Sequence, residues 1–155
     1  MPHATLDTPL GPLLLVSDGQ ALTAATFGAD PPATDAAGDA VLDAAGAQLA
    51  AYFAGEPVAF DVPVRLAGTP FQERVWAALR EISHGETVSY GALAARVGDP
   101  KAAQAVGAAN GQNPVAVVVP CHRVVGADGA LTGYAGGLDR KRALLALESR
   151  QRSLF

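Results

Sequence analysis

Apolar residues gather in short runs near the start of the chain and recur at helical spacing over much of the rest. Leu13-Leu14-Leu15-Val16 is a strand signal, and Ala21 to Phe27 reads as its return strand. Ser17-Asp18-Gly19-Gln20 between them is a turn, with glycine where positive φ is easiest. Thr5 to Thr8, ahead of Pro9 and Gly11-Pro12, adds a third strand, so residues 4–27 predict a β-meander. A Pro/Asp/Ala loop follows over 28–35. Asp35 is then positioned to cap a helix over 36–53, where Val41/Leu42, Ala45, Leu49 and Tyr52/Phe53 share one face. Gly55, Pro57, Pro63 and Gly68 mark 54–68 as a linker.

The second part is helical in pattern. Thr69-Pro70 supplies an N-cap and a first helical residue, and Phe71, Val75, Trp76, Leu79 and Ile82 form one stripe that Gly85 ends. Thr87 to Tyr90 is short and extended. Residues 90–97 predict a short helix with Leu93, Ala94 and Val97 inward. Gly98-Asp99-Pro100 is a tight turn. Residues 101–110 predict a third helix packing through Ala102, Ala105, Val106 and Ala109. Short helix, glycine turn and small-residue helix form a helix-turn-helix pattern, which Lys101 and nearby Arg96 strengthen. The last helix, about 138–148, turns Leu144, Leu145 and Leu147 inward and Arg140-Lys141-Arg142 outward.

Between the third and last helices lies Asn113-Pro114-Val115-Ala116-Val117-Val118-Val119-Pro120-Cys121-His122-Arg123-Val124. The apolar run Val115–Val119 predicts a short buried strand, ended by Pro120, which has no N–H for a sheet ladder. Just beyond it stands the only cysteine of the 155 residues, then a histidine and an arginine. A glycine-rich loop follows, Gly126, Gly129 and Gly133-Tyr134-Ala135-Gly136-Gly137, as if a backbone must approach something closely.

Charge changes this picture. Residues 1–64 hold eight acids and no Lys or Arg, whereas residues 65–155 hold all eleven basic residues and seven acids. The overall charge of −4 thus divides into −8 and +4. A basic second part is compatible with nucleic acid, because binding follows the local field. The apolar runs are too short for a membrane span, and Met1-Pro2-His3 opens no secretory signal, so the expected setting is cytoplasmic with no membrane partner. One cysteine excludes an internal disulfide and a multi-cysteine metal site within the chain.

Two readings of Cys121 stand side by side. A lone cysteine is commonly a small core hydrophobe. A thiol beside a positive group is instead a candidate nucleophile. Adjacent side chains on a regular strand point apart. His122 therefore serves Cys121 only if Pro120 breaks the alternation or a water bridges them. With no second thiol, an alkyl group taken up as a thioether stays, and such an acceptor is consumed. Glu148 alone reads as a solvated helix-end carboxylate, Asn113 as a turn former and Tyr90 as a half-buried anchor.

Taken together, these segments resemble the O6-alkylguanine-DNA alkyltransferases. The resemblance rests on Asn113-Pro114 with Val119-Pro120-Cys121-His122-Arg123-Val124. It extends through Phe71-Gln72-Glu73-Arg74-Val75-Trp76, Gly85 to Gly91, Ala105-Val106-Gly107, Gly133 to Gly137 and Leu144 to Glu148. It covers about residues 69–148 in order, with looser likeness before. It implies an α/β (α+β) chain. A small ribonuclease-H-like domain would span 1–64, and a winged-helix-like domain with the helix-turn-helix would span 65–155.

The resemblance also implies roles. Cys121 accepts, once, an alkyl group from O6-alkylguanine in double-stranded DNA. His122 takes the thiol proton through a water, Glu148 orients His122, Asn113 holds the turn, and Tyr90 assists the leaving guanine. The backbone around Val124 and the Tyr134-Ala135 loop forms the guanine pocket. Lys101, Ala102, Ala103 and Gln104, with Arg96 and Arg123, contact DNA, and the base is flipped out of the stack. No cofactor is implied, and a monomer is expected. The structural zinc of some relatives is not expected here, where the first part offers only His3.

Two departures matter. Gln104 stands where the family usually has an arginine filling the gap left by the flipped base, and Ala135 replaces a frequent serine. Gln104 keeps an alternative open, a non-catalytic or impaired relative that flags O6-alkylguanine for another pathway; such relatives replace the acceptor cysteine, which is intact here. A Cys–His hydrolase is a third class, and it leaves the helix-turn-helix unexplained.

Overall fold

The structure is a computed structural model that describes residues 2–29 and 38–153. The chain forms two compact units: Met1–Leu66 with Pro114–Val118, and Ala67–Asn113 with Val119–Phe155. The second piece of the first unit comes from within the region that the charge pattern gives to the second domain.

In the first unit, strands β1 (His3–Thr8), β2 (Gly11–Ser17) and β3 (Leu22–Phe27) make an antiparallel sheet in the order β1-β2-β3. On β2 the period of two is plain: Leu13, Leu15 and Ser17 are buried and the residues between them are not. The β2–β3 turn is the expected one. Gly19 has φ +92°, and the Asp18 carboxylate accepts the N–H groups of Gln20 and Ala21 at 2.9 and 2.8 Å. Helix α1 (Ala40–Phe53) buries Val41, Leu42, Ala45, Leu49 and Tyr52, the stripe read from the sequence. It starts later than expected. Its cap is Asp39, whose side chain accepts from the Leu42 N–H at 2.9 Å, while Asp35 lies outside the described residues.

The free edge of β3 is covered by two single bridges, Leu22 with Val64 and Ala25 with Val115. At the second, Ala25 donates to the Pro114 carbonyl and accepts from Ala116. The run Val115–Val119 goes no further as a strand. Val117 has φ +70° and is flanked by a Val118 N–H to Ala116 carbonyl bond of 2.8 Å, a γ-turn. Positive φ at a β-branched residue costs on the order of 1–3 kcal/mol, which burial of the valine run offsets. The four valines of the run are buried, and the backbone at that depth is a turn rather than a ladder.

The second unit begins with α2 (Pro70–Leu79). Thr69 and Gln72 close a capping box at its start, with bonds of 3.1 and 3.0 Å. The helix stops at Leu79, before Ile82 and Gly85, although Ile82 stays buried in the turn that follows. Strand β4 (Val88–Ser89) leads into α3 (Tyr90–Arg96), capped by Ser89. Gly98, at φ +93°, makes the turn to α4 (Ala103–Gly111). Lys101 and Ala102 lie in that turn rather than in the helix. Ala105 is exposed, and the packing face is Val106, Ala109 and Asn110. The Trp76 indole N–H donates to the Ala109 carbonyl at 2.9 Å and fastens α2 to α4.

Strand β5 (Val124–Val125) pairs in parallel with β4. Helix α5 (Leu138–Ser153) closes the unit and runs past the expected end at 148. Lys141 on it is fully buried, against the expectation that Arg140-Lys141-Arg142 faces outward.

The capping box makes α2 a test of local stability. Thr69→Ala should lower the unfolding free energy by about 1 kcal/mol. In urea this appears as an earlier midpoint with an unchanged slope; an unchanged midpoint contradicts it.

Candidate active site

All the groups of the site come from the second unit. Pro120 takes φ −84° and ψ 64°, and the Cys121 N–H donates to the Val119 carbonyl at 2.8 Å, an inverse γ-turn. Residues Cys121–Arg123 then make one 3₁₀ turn before β5. Strand alternation is broken at Pro120, which is one of the conditions set for His122 to serve Cys121.

Two asparagines hold this turn. Asn113 donates from Nδ2 to the Val119 carbonyl at 2.9 Å, and its side chain also hydrogen-bonds the thiol. Asn110, buried on α4, donates to the Cys121 carbonyl at 3.2 Å. Sequence reasoning named Asn113 and missed Asn110; its place one turn after Val106 on the inward face of α4 was the available signal.

Cys121 is 6% exposed and His122 is 0%. His122 Nε2 lies 2.6 Å from Glu148 Oε2. Arg123 donates to the same carboxylate from Nε at 2.8 Å and Nη2 at 3.1 Å, and from Nη1 to the Ile82 carbonyl at 2.7 Å. Glu148 is therefore no solvated end group. It sits within α5, 1% exposed, and is bonded by both His122 and Arg123. Arg123, expected on the DNA, is buried, and its guanidinium is committed to Glu148 and Ile82.

The electrostatics follow from this packing. Burial works to raise the Glu148 carboxyl, but the hydrogen bond from His122, then the hydrogen bonds and charge of Arg123, hold it well below the usual carboxylate range. Burial lowers the proton affinity of His122 despite Glu148. A neutral imidazole that donates from Nε2 to Glu148 keeps its Nδ1 lone pair, and among the described residues Nδ1 has no protein partner. That nitrogen is an available base. Burial pushes the Cys121 thiol up, while Asn113 and the charge of Lys141 pull it back in part.

Lys141, unrecognised from the sequence, donates from Nζ to the Thr132 carbonyl at 2.6 Å and lies 5.9 Å from the centre of the Tyr90 ring. Burial lowers its proton affinity, and the Cys121 charge opposes that. Tyr90, the first residue of α3, donates from its hydroxyl to the Thr132 carbonyl at 3.1 Å. Tyr134 is half-buried; burial raises its phenol, and the Cys121 charge adds to that. Val124 is fully buried in β5, and Ala135 is exposed. Arg96, Lys101 and Gln104 are exposed along α3, the turn and α4, with Ala102 and Ala103 half-exposed beside them. Among the described residues, no group of three or more His, Cys, Asp or Glu is placed to hold a metal ion.

A thiol mounted on a 3₁₀ turn, backed by a buried histidine–carboxylate–arginine set in a helix-turn-helix unit, defines a protein that does cysteine chemistry. Residues 1–66 match the family model for the 6-O-methylguanine DNA methyltransferase ribonuclease-like domain. Residues 70–150 match the model for the DNA binding domain of the same proteins. The chain belongs to this family.

A methylated-DNA–protein-cysteine methyltransferase of Mycobacterium bovis is 53% identical over 94% of this chain and 91% of its own length. One from Methanosarcina acetivorans is 48% identical over 96% and 98%. The crystal structure of Mycobacterium tuberculosis OGT in complex with DNA matches with a TM-score of 0.89 at 50% identity, over 97% of this chain and 94% of that one.

The site sets a pH dependence. Folded His122 and Glu148 both bind protons less readily than in the unfolded chain, so unfolding takes up protons in acid and stability falls as pH falls. The His122 contribution is lost from about pH 6.5 downward and the Glu148 contribution from about pH 4.3 downward. Urea unfolding should show a declining free energy between pH 7 and 5 that flattens in His122→Gln. A flat wild-type profile over that range contradicts this.

Proposed function

We propose that this chain repairs DNA by moving an alkyl group, typically methyl, from the O6 of guanine in duplex DNA to its own Cys121, once per molecule. The observation that carries this reading is the only thiol of the chain followed directly by a buried histidine whose Nε2 is fixed on Glu148 and whose Nδ1 has no protein partner among the described residues. Nδ1 of His122 takes the Cys121 proton through a water. The imidazolium so formed is stabilised by Glu148, which stays ionised because Arg123 is bonded to it. Sulfur then attacks the alkyl carbon, the C–O6 bond breaks, and the electron pair leaves with the purine.

Tyr90 assists that leaving group with its hydroxyl. The backbone at Val124 and the Tyr134-Ala135 loop receive the guanine, which must be flipped from the stack to reach a thiol. Lys101, Ala102, Ala103 and Gln104, with Arg96, form the DNA-facing surface; Arg123 instead supports Glu148. We place the protein in the cytoplasm as a monomer, where a single thiol stays reduced. Among the described residues, no helix is long and apolar enough to cross a membrane.

Mixing the protein with a duplex bearing O6-methylguanine should add the mass of one methyl to the Cys121 peptide, stoichiometrically. Cys121→Ala should retain DNA binding and lose all transfer. Tight binding without a mass change favours a flagging role instead, and many turnovers per molecule exclude single use.

Gln104 gives a second test. Exposed on α4, it can hydrogen-bond in the gap left by a flipped base but brings no charge. A neutral hydrogen bond contributes about 1 kcal/mol and a charged one about 1.5–3. Gln104→Arg should therefore tighten binding to alkylated duplex by about tenfold, measured by titration with labelled duplex. Unchanged affinity and transfer rate would sink the idea.

A further inference from the structure

The Tyr90 hydroxyl is engaged twice by one residue. It donates to the Thr132 carbonyl at 3.1 Å and accepts from the Thr132 hydroxyl at 3.1 Å. The same carbonyl accepts from Lys141 Nζ at 2.6 Å. The first bond is long for O–H···O, whose usual length is about 2.7–2.8 Å, and the lysine bond is short and charge-assisted. Of the two bonds at that carbonyl, the lysine bond is the tight one.

This asymmetry matters if Tyr90 serves a leaving purine. To do so, its O–H must turn from the Thr132 carbonyl toward the substrate. Here the carbonyl keeps the lysine, so the phenol is released without leaving an orphan. Its oxygen also keeps the Thr132 O–H as a donor, which is what a phenol needs as it gives up its own proton. The ammonium near the ring acts in the same sense.

We propose that Thr132 is a positioning residue for alkyl transfer, holding Tyr90 between a releasable acceptor and a retained donor, with Lys141 fixing Thr132. This rests on the assignment of Tyr90 to the leaving guanine. The balance closes without another reactant. The S–C bond forms as the C–O6 bond breaks, and the purine takes the electron pair and a proton from Tyr90. The proton that Cys121 passed to His122 is released to solvent, and solvent returns one to Tyr90. The products are a thioether and a neutral guanine. Nothing in the sequence singles out Thr132, an exposed residue in a glycine-rich loop; only the loop's placement against α3 and α5 does.

The test is single-turnover methyl transfer from an O6-methylguanine duplex, read by mass at Cys121, with duplex affinity measured alongside. Thr132→Val keeps the shape and removes the hydroxyl. It should transfer about tenfold more slowly at unchanged duplex affinity, and Thr132→Ser should restore the rate. In a Tyr90→Phe background, Thr132→Val should cost nothing further. Full-rate transfer by Thr132→Val overturns the proposal. So does an equal loss with and without the tyrosine hydroxyl, since that marks a merely structural role. Full-rate transfer by Tyr90→Phe removes the Tyr90 assignment itself, and a wild-type protein that takes up no methyl removes the functional reading beneath both.

Discussion

One carboxylate organises the second unit. Glu148 is nearly inaccessible to water, and it receives N–H groups from two consecutive residues of the 3₁₀ turn, His122 and Arg123. A buried carboxylate is costly unless its partners are close and its oxygens are bonded. Here both oxygens are occupied. Arg123 completes the set by spending its remaining arm on the Ile82 carbonyl beyond the end of α2. The turn that carries Cys121 is thereby tied to α5 and to the segment after α2, while Asn110 and Asn113 tie it to α4 and its exit. Removing Glu148 would orphan a guanidinium and release an imidazole together, so its contribution is not divisible between the two partners.

The same carboxylate decides what His122 can be. Were His122 its only partner, ion pairing would favour a protonated ring. With Arg123 already supplying a full charge, and with burial opposing a second one, the imidazole stays neutral and keeps a lone pair on Nδ1. A neutral imidazole with a lone pair on Nδ1 thus follows, in the chain, a thiol that burial keeps protonated at rest. The pairing has a physical logic for an acceptor used once. Thiols react with electrophiles and oxidants as thiolates, so a thiol kept protonated is protected until substrate is in place. Under the proposed function, the nucleophile is made by proton transfer in the assembled site, not stored.

The sequence exposed much of this and hid the rest for identifiable reasons. The meander, the α1 stripe, the Thr69-Pro70 start and the helix-turn-helix were legible because each is written in local spacing and caps. The motif around Cys121 was legible as a family pattern, and the family models match both parts of the chain. Conformation inside the motif was not. Val115–Val119 has the composition of a strand, but its position between Pro114 and Pro120 leaves little ladder to make, and the backbone turns at Val117 instead. Helix ends moved by several residues wherever a competing cap or turn was available, as at Asp39 and Leu79.

The residues that local pattern alone places on the surface share a property. Arg123, Lys141 and Glu148 are charged, and charge on its own argues for the surface. Each is met by a partner elsewhere in the chain: Ile82 for Arg123, the Thr132 carbonyl and the Tyr90 ring for Lys141, and His122 with Arg123 for Glu148. Hydrophobic periodicity cannot report such pairs, since it scores each residue by its own affinity for water and not by what faces it. Buried charge with a distant partner is also what bends proton affinities, as it does at His122, Lys141 and Glu148. The residues least visible to local pattern reading are therefore those whose proton affinities and partners only the packing sets. For the same reason, a site of this kind is recognised from sequence by its family motif and explained only by its packing.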